Sequence, residues 1–295
     1  MSTLYWSSAS STAWGTGANW STTSAPANGD TAIIDANGAA AIAGSDQSAV
    51  ALAALLIKSN FGANFGDLAT ALKIKSSLVR IGDLAGSGLA QTAKIRVNLD
   101  LSTTAATIDV VSTPSIGPDA GLEPVRIVGV NSSNVLNVLS GRVGVATNKA
   151  TDVATFGTIN NVAGTVNVAS GVTLTTFRQS SGAGSLYCAA TTVTINGGQL
   201  DTYGAGAITT ANIFGQAFLR ATGTITTLNV YGGGTADFSA SLIARTVTTI
   251  NLYKGATLIG IDPSLLTVTN PINLVGCAPE DVTIITPPGR TVVIA

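Results

Sequence analysis

Ile208-Thr209-Thr210-Ala211-Asn212-Ile213 recurs as Ile225-Thr226-Thr227-Leu228-Asn229-Val230 and again as Val247-Thr248-Thr249-Ile250-Asn251-Leu252, at spacings of 17 and 22 residues. A weaker copy precedes them at Ala190-Thr191-Thr192-Val193-Thr194-Ile195. Another follows at Val268-Thr269-Asn270-Pro271-Ile272-Asn273-Leu274, with one residue inserted. Each copy is β-branched, alternates with period two, and is followed by glycine (Gly197 and Gly198, Gly215, Gly232 to Gly234, Gly255, Gly276). No 3.6-residue apolar stripe is present, which excludes a helical solenoid. A strand-turn repeat of this length is one coil of a parallel β-solenoid. The coil turns at glycines, stacks ~4.8 Å above the previous one, and buries Val, Ile and Leu from every second position. Unequal coil lengths favour loops of different size on one side, so the predicted fold is all-β, a right-handed parallel β-helix.

Working outward, Val135-Leu136-Asn137-Val138-Leu139 and Thr165-Val166-Asn167-Val168 continue the alternation. Leu72-Lys73-Ile74-Lys75 and Lys94 to Leu101 read as strands with one wet face. Residues 48–57, rich in Ala and Leu, fit either a short helix or a buried strand. The expected organisation is an N-terminal arm or cap over 1–35, an early β region over 36–134 that supplies the first coils, and regular coils over 135–295. The arm holds all three tryptophans, Trp6, Trp14 and Trp20. Two readings stay open: a plug over the first coil, whose bare edge needs covering, or an anchor that grips a partner.

Of the 295 residues, 10% are charged and none is histidine, against about 25% charged in an average soluble domain. Losing imidazole removes the usual neutral-pH proton carrier, the Ser/His/Asp and Cys/His nucleophile arrangements and the two-His metal sites. The expectation is therefore a protein that is not an enzyme, with no cofactor and no metal. Fourteen Lys and Arg against fifteen Asp and Glu leave a formal charge of −1. That balance gives no footprint for nucleic acid and no polybasic membrane anchor. It does favour self-association, since few charges of either sign keep copies apart. No basic, apolar leader is visible at the first residues, so synthesis in the cytoplasm is expected.

Three sets of residues were candidates for chemistry or binding. Cys188 and Cys277 lie about four coils, roughly 19 Å, apart, too far for a disulfide, and read as small buried hydrophobes. Aligning the second strand of each coil places Thr175, Asp201, Arg220, Asp237 and Ile259 in one column. Asp201 and Asp237 could then form an acid/base pair, or Arg220 could stand between them in a neutralised ladder, the favoured reading. Lys58, Lys73, Lys75, Arg80, Lys94 and Arg96 gather six cations within 39 residues, a partner-binding surface or the solvated side of a sheet. The aromatics beyond residue 150 fall where they would stack inside or beside the coils.

Trp14-Gly15-Thr16-Gly17-Ala18-Asn19-Trp20-Ser21, followed by Pro26-Ala27-Asn28-Gly29-Asp30-Thr31-Ala32-Ile33-Ile34-Asp35, resembles the opening of β-solenoid proteins of tailed bacteriophages and of some autotransporter passengers. The Thr-Thr-x-Asn repeats resemble virion proteins of the same type. The resemblance implies a virion component, often trimeric, that cements or decorates a capsid, with the major capsid protein and copies of itself as partners. A tail spike or fibre that recognises host glycan is the alternative. The shared motifs build coils, so no catalytic residue is carried over.

Overall fold

A computed structural model describes residues 1–67, 70–82, 97–101, 105–111, 123–147 and 149–289. The fold is all-β, a parallel β-helix. Its residues divide into two compact units, 1–158 with 164–167, and 159–163 with 168–295.

In the N-terminal unit, one sheet stacks β1 (Thr3–Tyr5), β2 (Thr31–Ile34), β4 (Ala54–Ile57), β6 (Leu78–Ile81), β8 (Thr107–Val110) and β10 (Val135–Val138) in parallel. A second sheet stacks β3 (Asp46–Leu52), β5 (Leu72–Ser76), β7 (Val97–Asp100), β9 (Val125–Val130) and β11 (Arg142–Val145). Residues 48–57 are thus strand, not helix: Ala53 separates β3 from β4 at a coil corner. The register carries Leu4, Ala32, Leu55, Val79, Ile108 and Leu136 up one buried column. Ile34, Ile57, Ile81, Val110 and Val138 form the next. Each valine, leucine or isoleucine in these columns contributes about 1.5–3 kcal/mol by leaving water.

The tryptophans close this unit. Trp6, Trp14 and Trp20 are all buried. Trp6 and Trp20 meet edge to face at 5.3 Å, Trp14 and Trp20 at 4.7 Å, and Trp14 leans on Phe65 at 6.2 Å. Burying an indole requires a partner for its N–H. Trp6 Nε1 donates to the Ala40 carbonyl at 3.0 Å and Trp20 Nε1 to the Trp14 carbonyl at 2.8 Å. Gly38 makes room, because a Cβ there would lie 2.1 Å from the Trp6 ring. The arm packs as a cap. Its indoles are packed inside the chain, which is the plug arrangement of the two considered for Trp6, Trp14 and Trp20.

β12 (Ala154–Asn161) and β13 (Thr165–Val168) lie at the division. The C-terminal unit stacks β14 (Val172–Gln179), β16 (Ala190–Ile195), β18 (Ile208–Ile213), β20 (Ile225–Val230) and β22 (Arg245–Tyr253), ending on β24 (Leu266–Val268) and β25 (Asn273–Val275). Its second sheet stacks β15 (Ala183–Leu186), β17 (Gln199–Thr202), β19 (Gln216–Leu219), β21 (Thr235–Asp237), β23 (Thr257–Ile259) and β26 (Thr283–Ile285). β16, β18 and β20 share one burial pattern, with their first, fourth and sixth residues inward. The corner after the second sheet needs glycine, since a Cβ on Gly223 would lie 2.2 Å from the Gly206 carbonyl.

Candidate functional site

The regular register stacks like residues on the outside of the C-terminal unit. Asn212, Asn229, Asn251 and Asn273 form an amide ladder, each Nδ2 donating to the preceding Oδ1 at 2.9, 2.8 and 2.9 Å. Two residues along, Phe214, Tyr231 and Tyr253 stack face to face at 4.1 and 4.4 Å, tilted 4° and 17°. Burial, then the neighbouring Tyr253, raises the Tyr231 hydroxyl above the usual phenol range. Rings stacked along the coil axis cover one another's faces and show solvent their edges, so they offer little platform for a flat ligand.

The outer face of the second sheet is less closed. Its central column reads Ser185, Asp201, Phe218, Asp237 and Ile259. This corrects the expected column. Thr175 belongs to β14 in the other sheet, and Arg220 stands two residues past Phe218, beyond the end of β19. Arg220 nonetheless reaches Asp201, with Nη2 3.0 Å from Oδ1. That pair lacks hydrogen-bond alignment, and Asp201 Oδ1 and Arg220 Nε are buried with no hydrogen-bond partner. Gln199 Nε2 donates to Asp201 Oδ2 at 2.8 Å, and Arg220 Nη1 to the Tyr203 hydroxyl at 3.1 Å. The guanidinium lies 5.4 Å from both the Tyr203 and Phe218 ring centres. Tyr187 stacks on Tyr203 at 4.7 Å. Burial and the Asp201 charge raise the Tyr203 hydroxyl.

Asp237 is separate from this cluster. Its Oδ1 accepts from Ser239 N at 2.7 Å and Ser239 Oγ at 2.6 Å. Two rungs, roughly 10 Å, part it from Asp201, with Phe218 between. The three-residue ladder is therefore one ion pair and one self-capped turn. An acid/base pair needs one carboxyl that holds a proton and another that faces the same space. Here both accept from fixed donors and a ring divides them.

The four described residues of the basic group are divided between the two sheets of the N-terminal unit. Lys73 and Lys75 lie on β5 in the second sheet of the N-terminal unit, whereas Arg80 lies on β6 and Lys58 just after β4, both in the first. Lys73 pairs with Asp46 at 3.0 Å. Arg80 is exposed, in register with Asp109. Lys94 and Arg96 lie outside the described residues. Both cysteines are free thiols. Burial pushes the Cys188 thiol up to about 12, and Cys277, half-buried, sits 3.6 Å from the Leu252 carbonyl.

Two polar features were not anticipated. Glu123 is buried in the N-terminal unit and accepts from Thr147 Oγ1 at 2.8 Å and Asn167 Nδ2 at 2.5 Å. Arg245 is buried at the head of β22, where it donates to the carbonyls of Ile243, Leu219 and Ser241. Alternation already puts Arg245 in phase with the inward Val247, a signal that its charge masks. Among the described residues no group of three or more Asp, Glu or Cys side chains could hold a metal ion, and no helix is long and apolar enough to cross a membrane. No protein-family model matches this sequence, and neither curated proteins nor solved structures give a match.

Proposed function

We propose that this chain is a non-enzymatic structural protein of a tailed-bacteriophage virion, a cement or decoration protein that stabilises the head through contacts with the major capsid protein and with copies of itself. The observation that carries this reading is the closure of the outer columns of the C-terminal unit. Amides bond to amides and rings stack on rings, which stiffens the coils and leaves few groups for chemistry. The capped first coil and the likeness of the Trp14–Asp35 stretch to virion solenoids support the same role. Quantitative mass spectrometry of purified particles tests it. Capsid-scale copy number is expected, and a handful of copies confined to the tail tip would overturn it.

A second reading, a tail protein that binds host surface glycan, is favoured by the Asp201 cluster. There the Asp201–Arg220 pair, with Asp201 Oδ1 and Arg220 Nε lacking hydrogen bonds, lies beside Gln199 and the stacked Tyr187 and Tyr203, a mixture of rings and fixed polar groups suited to sugar hydroxyls. Binding to host polysaccharide that is lost in Arg220→Ala would establish it. Oligosaccharide release that is abolished in Asp201→Asn or Asp237→Asn would add glycan cleavage.

A further inference from the structure

Asparagine followed by glycine occurs three times, at Asn28-Gly29, Asn37-Gly38 and Asn196-Gly197. Such a pair can close on itself: the glycine nitrogen, with no side chain beside it to block the approach, attacks the asparagine side-chain carbonyl carbon. Reaction needs an amide N–H free to lose its proton and a side chain free to turn toward it. The fold treats the three pairs differently. Asn28 Oδ1 accepts from Ala51 N at 2.7 Å, and Gly29 N donates to the Ala51 carbonyl at 2.8 Å. Asn37 Nδ2 donates to Asp35 Oδ2 at 3.0 Å, its backbone N to Asp35 Oδ1 at 3.0 Å, and Gly38 N to the Asp35 carbonyl at 3.3 Å. Both pairs are thus tied at the side chain and at the attacking nitrogen.

Asn196 stands exposed in the turn between β16 and β17. Its backbone N donates to the Gln179 carbonyl at 2.8 Å. Among the described residues, nothing hydrogen-bonds to its side chain or to the Gly197 N–H. The register is the reason. Ile195 pairs with Ile213, so Asn196 holds the rung that Phe214, Tyr231 and Tyr253 occupy in later coils, where rings stack and an amide meets no amide. Local sequence gives Asn196 no lead, because the Ile195 before it is bulkier than the Ala27 and Ala36 before the other two.

We propose that Asn196 is the site at which the folded protein deamidates spontaneously, ahead of Asn28 and Asn37. Hydroxide removes the Gly197 amide proton, the nitrogen bonds to Asn196 Cγ, and the Cγ–Nδ2 bond breaks with release of ammonia, leaving a five-membered succinimide. Water then opens the ring on one side to aspartate or on the other to isoaspartate. The second product lengthens the main chain by one methylene, and it does so in a crowded corner. A Cβ on Gly197 would lie 2.5 Å from the Ser180 carbonyl oxygen, and one on Gly215 would lie 2.8 Å from Gly197 Cα. Isoaspartate at Asn196 therefore pushes against the coils on both sides. The inference stands whether or not the protein belongs to a virion.

The test is timed peptide mapping by mass spectrometry of the full chain held at mildly alkaline pH, folded and in denaturant. In the folded protein the Asn196 peptide is expected to turn acidic at least about tenfold faster than the Asn28 and Asn37 peptides, which must first give up hydrogen bonds. In denaturant that lead should vanish. Asn196→Ser should remove the first acidic form resolved by ion exchange. Aged wild type, enriched in isoaspartate, should unfold at a lower temperature than the Asn196→Asp chain, which carries the same charge on an unlengthened main chain. Asn196 left intact in the folded chain, Asn28 or Asn37 reacting as fast, or a lead that persists in denaturant would overturn the proposal. An aged protein as stable as Asn196→Asp would overturn the effect assigned to the corner.

Discussion

The two units build the same kind of coil and finish its outside differently. In the C-terminal unit the repeat is strict enough that each outward position meets its own kind one rung away, and Asn212 to Asn273 bond in series. In the N-terminal unit the outward column next to the core runs Tyr5, Ile33, Leu56, Arg80, Asp109, Asn137, with hardly two neighbours alike. That unit relies on singular contacts instead: the indole cap, the Glu123 cluster and the Lys73–Asp46 pair. Stability should accordingly concentrate in a few residues of the first unit and spread along columns in the second.

The sharpest test of that contrast is Trp20→Ala. It removes the ring that both other indoles touch, and should cost on the order of 3–5 kcal/mol in denaturant unfolding. A loss below about 1 kcal/mol, the size of an ordinary substitution, would mean the cap does not close the coil. Next is Asn229→Ala in mid-ladder, which strands the Asn251 donor and the Asn212 acceptor in a half-buried column. About 1–2 kcal/mol is expected, against under about 0.5 kcal/mol for Thr227→Ala on the neighbouring outward position. Equal losses would show that the ladder adds nothing beyond its surface.

A smaller effect belongs to Asp201 and Arg220. A double-mutant cycle should give a coupling of up to about 1 kcal/mol, held down because the arginine side chain is a third exposed. Zero coupling would reduce the pair to a crossing of two side chains. Smallest is Asp46 in the N-terminal unit. The Ser48 hydroxyl and amide, then Lys73, lower its carboxyl from 3.8 to about 2. A carboxyl depressed in the folded state stabilises above its unfolded value and loses that contribution as pH falls through the folded value. The stability difference between wild type and Asp46→Asn should thus be constant above roughly pH 5 and shrink as pH falls from 4 toward 2. A difference independent of pH would place the contribution of Asp46 outside its charge.

The coils were legible wherever inward positions recur. Aligning the Thr-Thr-x-Asn copies by eye reproduces the pairing Ile208 to Ile225 to Val247, and even the inserted residue between the Val247–Val268 and Asn251–Asn273 pairs. The second strands defeated the same procedure. They are three or four residues long with only one or two inward positions, Leu200 and Thr202, Ala217 and Leu219, Ala236, or Leu258, so a slip of two residues keeps the alternation and moves Arg220 into the place of Phe218. Residues 48–57 were ambiguous because Ala and Leu suit either structure. The corner at Ala53, fixed by its amide bonding to the Asp30 carbonyl at 2.9 Å, decides for strands. Asn196 is not singled out by the sequence, since the three Asn-Gly pairs are spelled alike.

The amide ladder also bears on how such a chain can change length. Each asparagine needs one acceptor below and one donor above, and an asparagine rung supplies both. Duplicating a coil would lengthen the series without orphaning a group, and deleting one would rejoin the ends, because contacts reach only the adjacent rung. The number of coils in the C-terminal unit is thus free to drift by gene duplication and loss, while the indole cap, which fits one set of neighbours, admits no such editing.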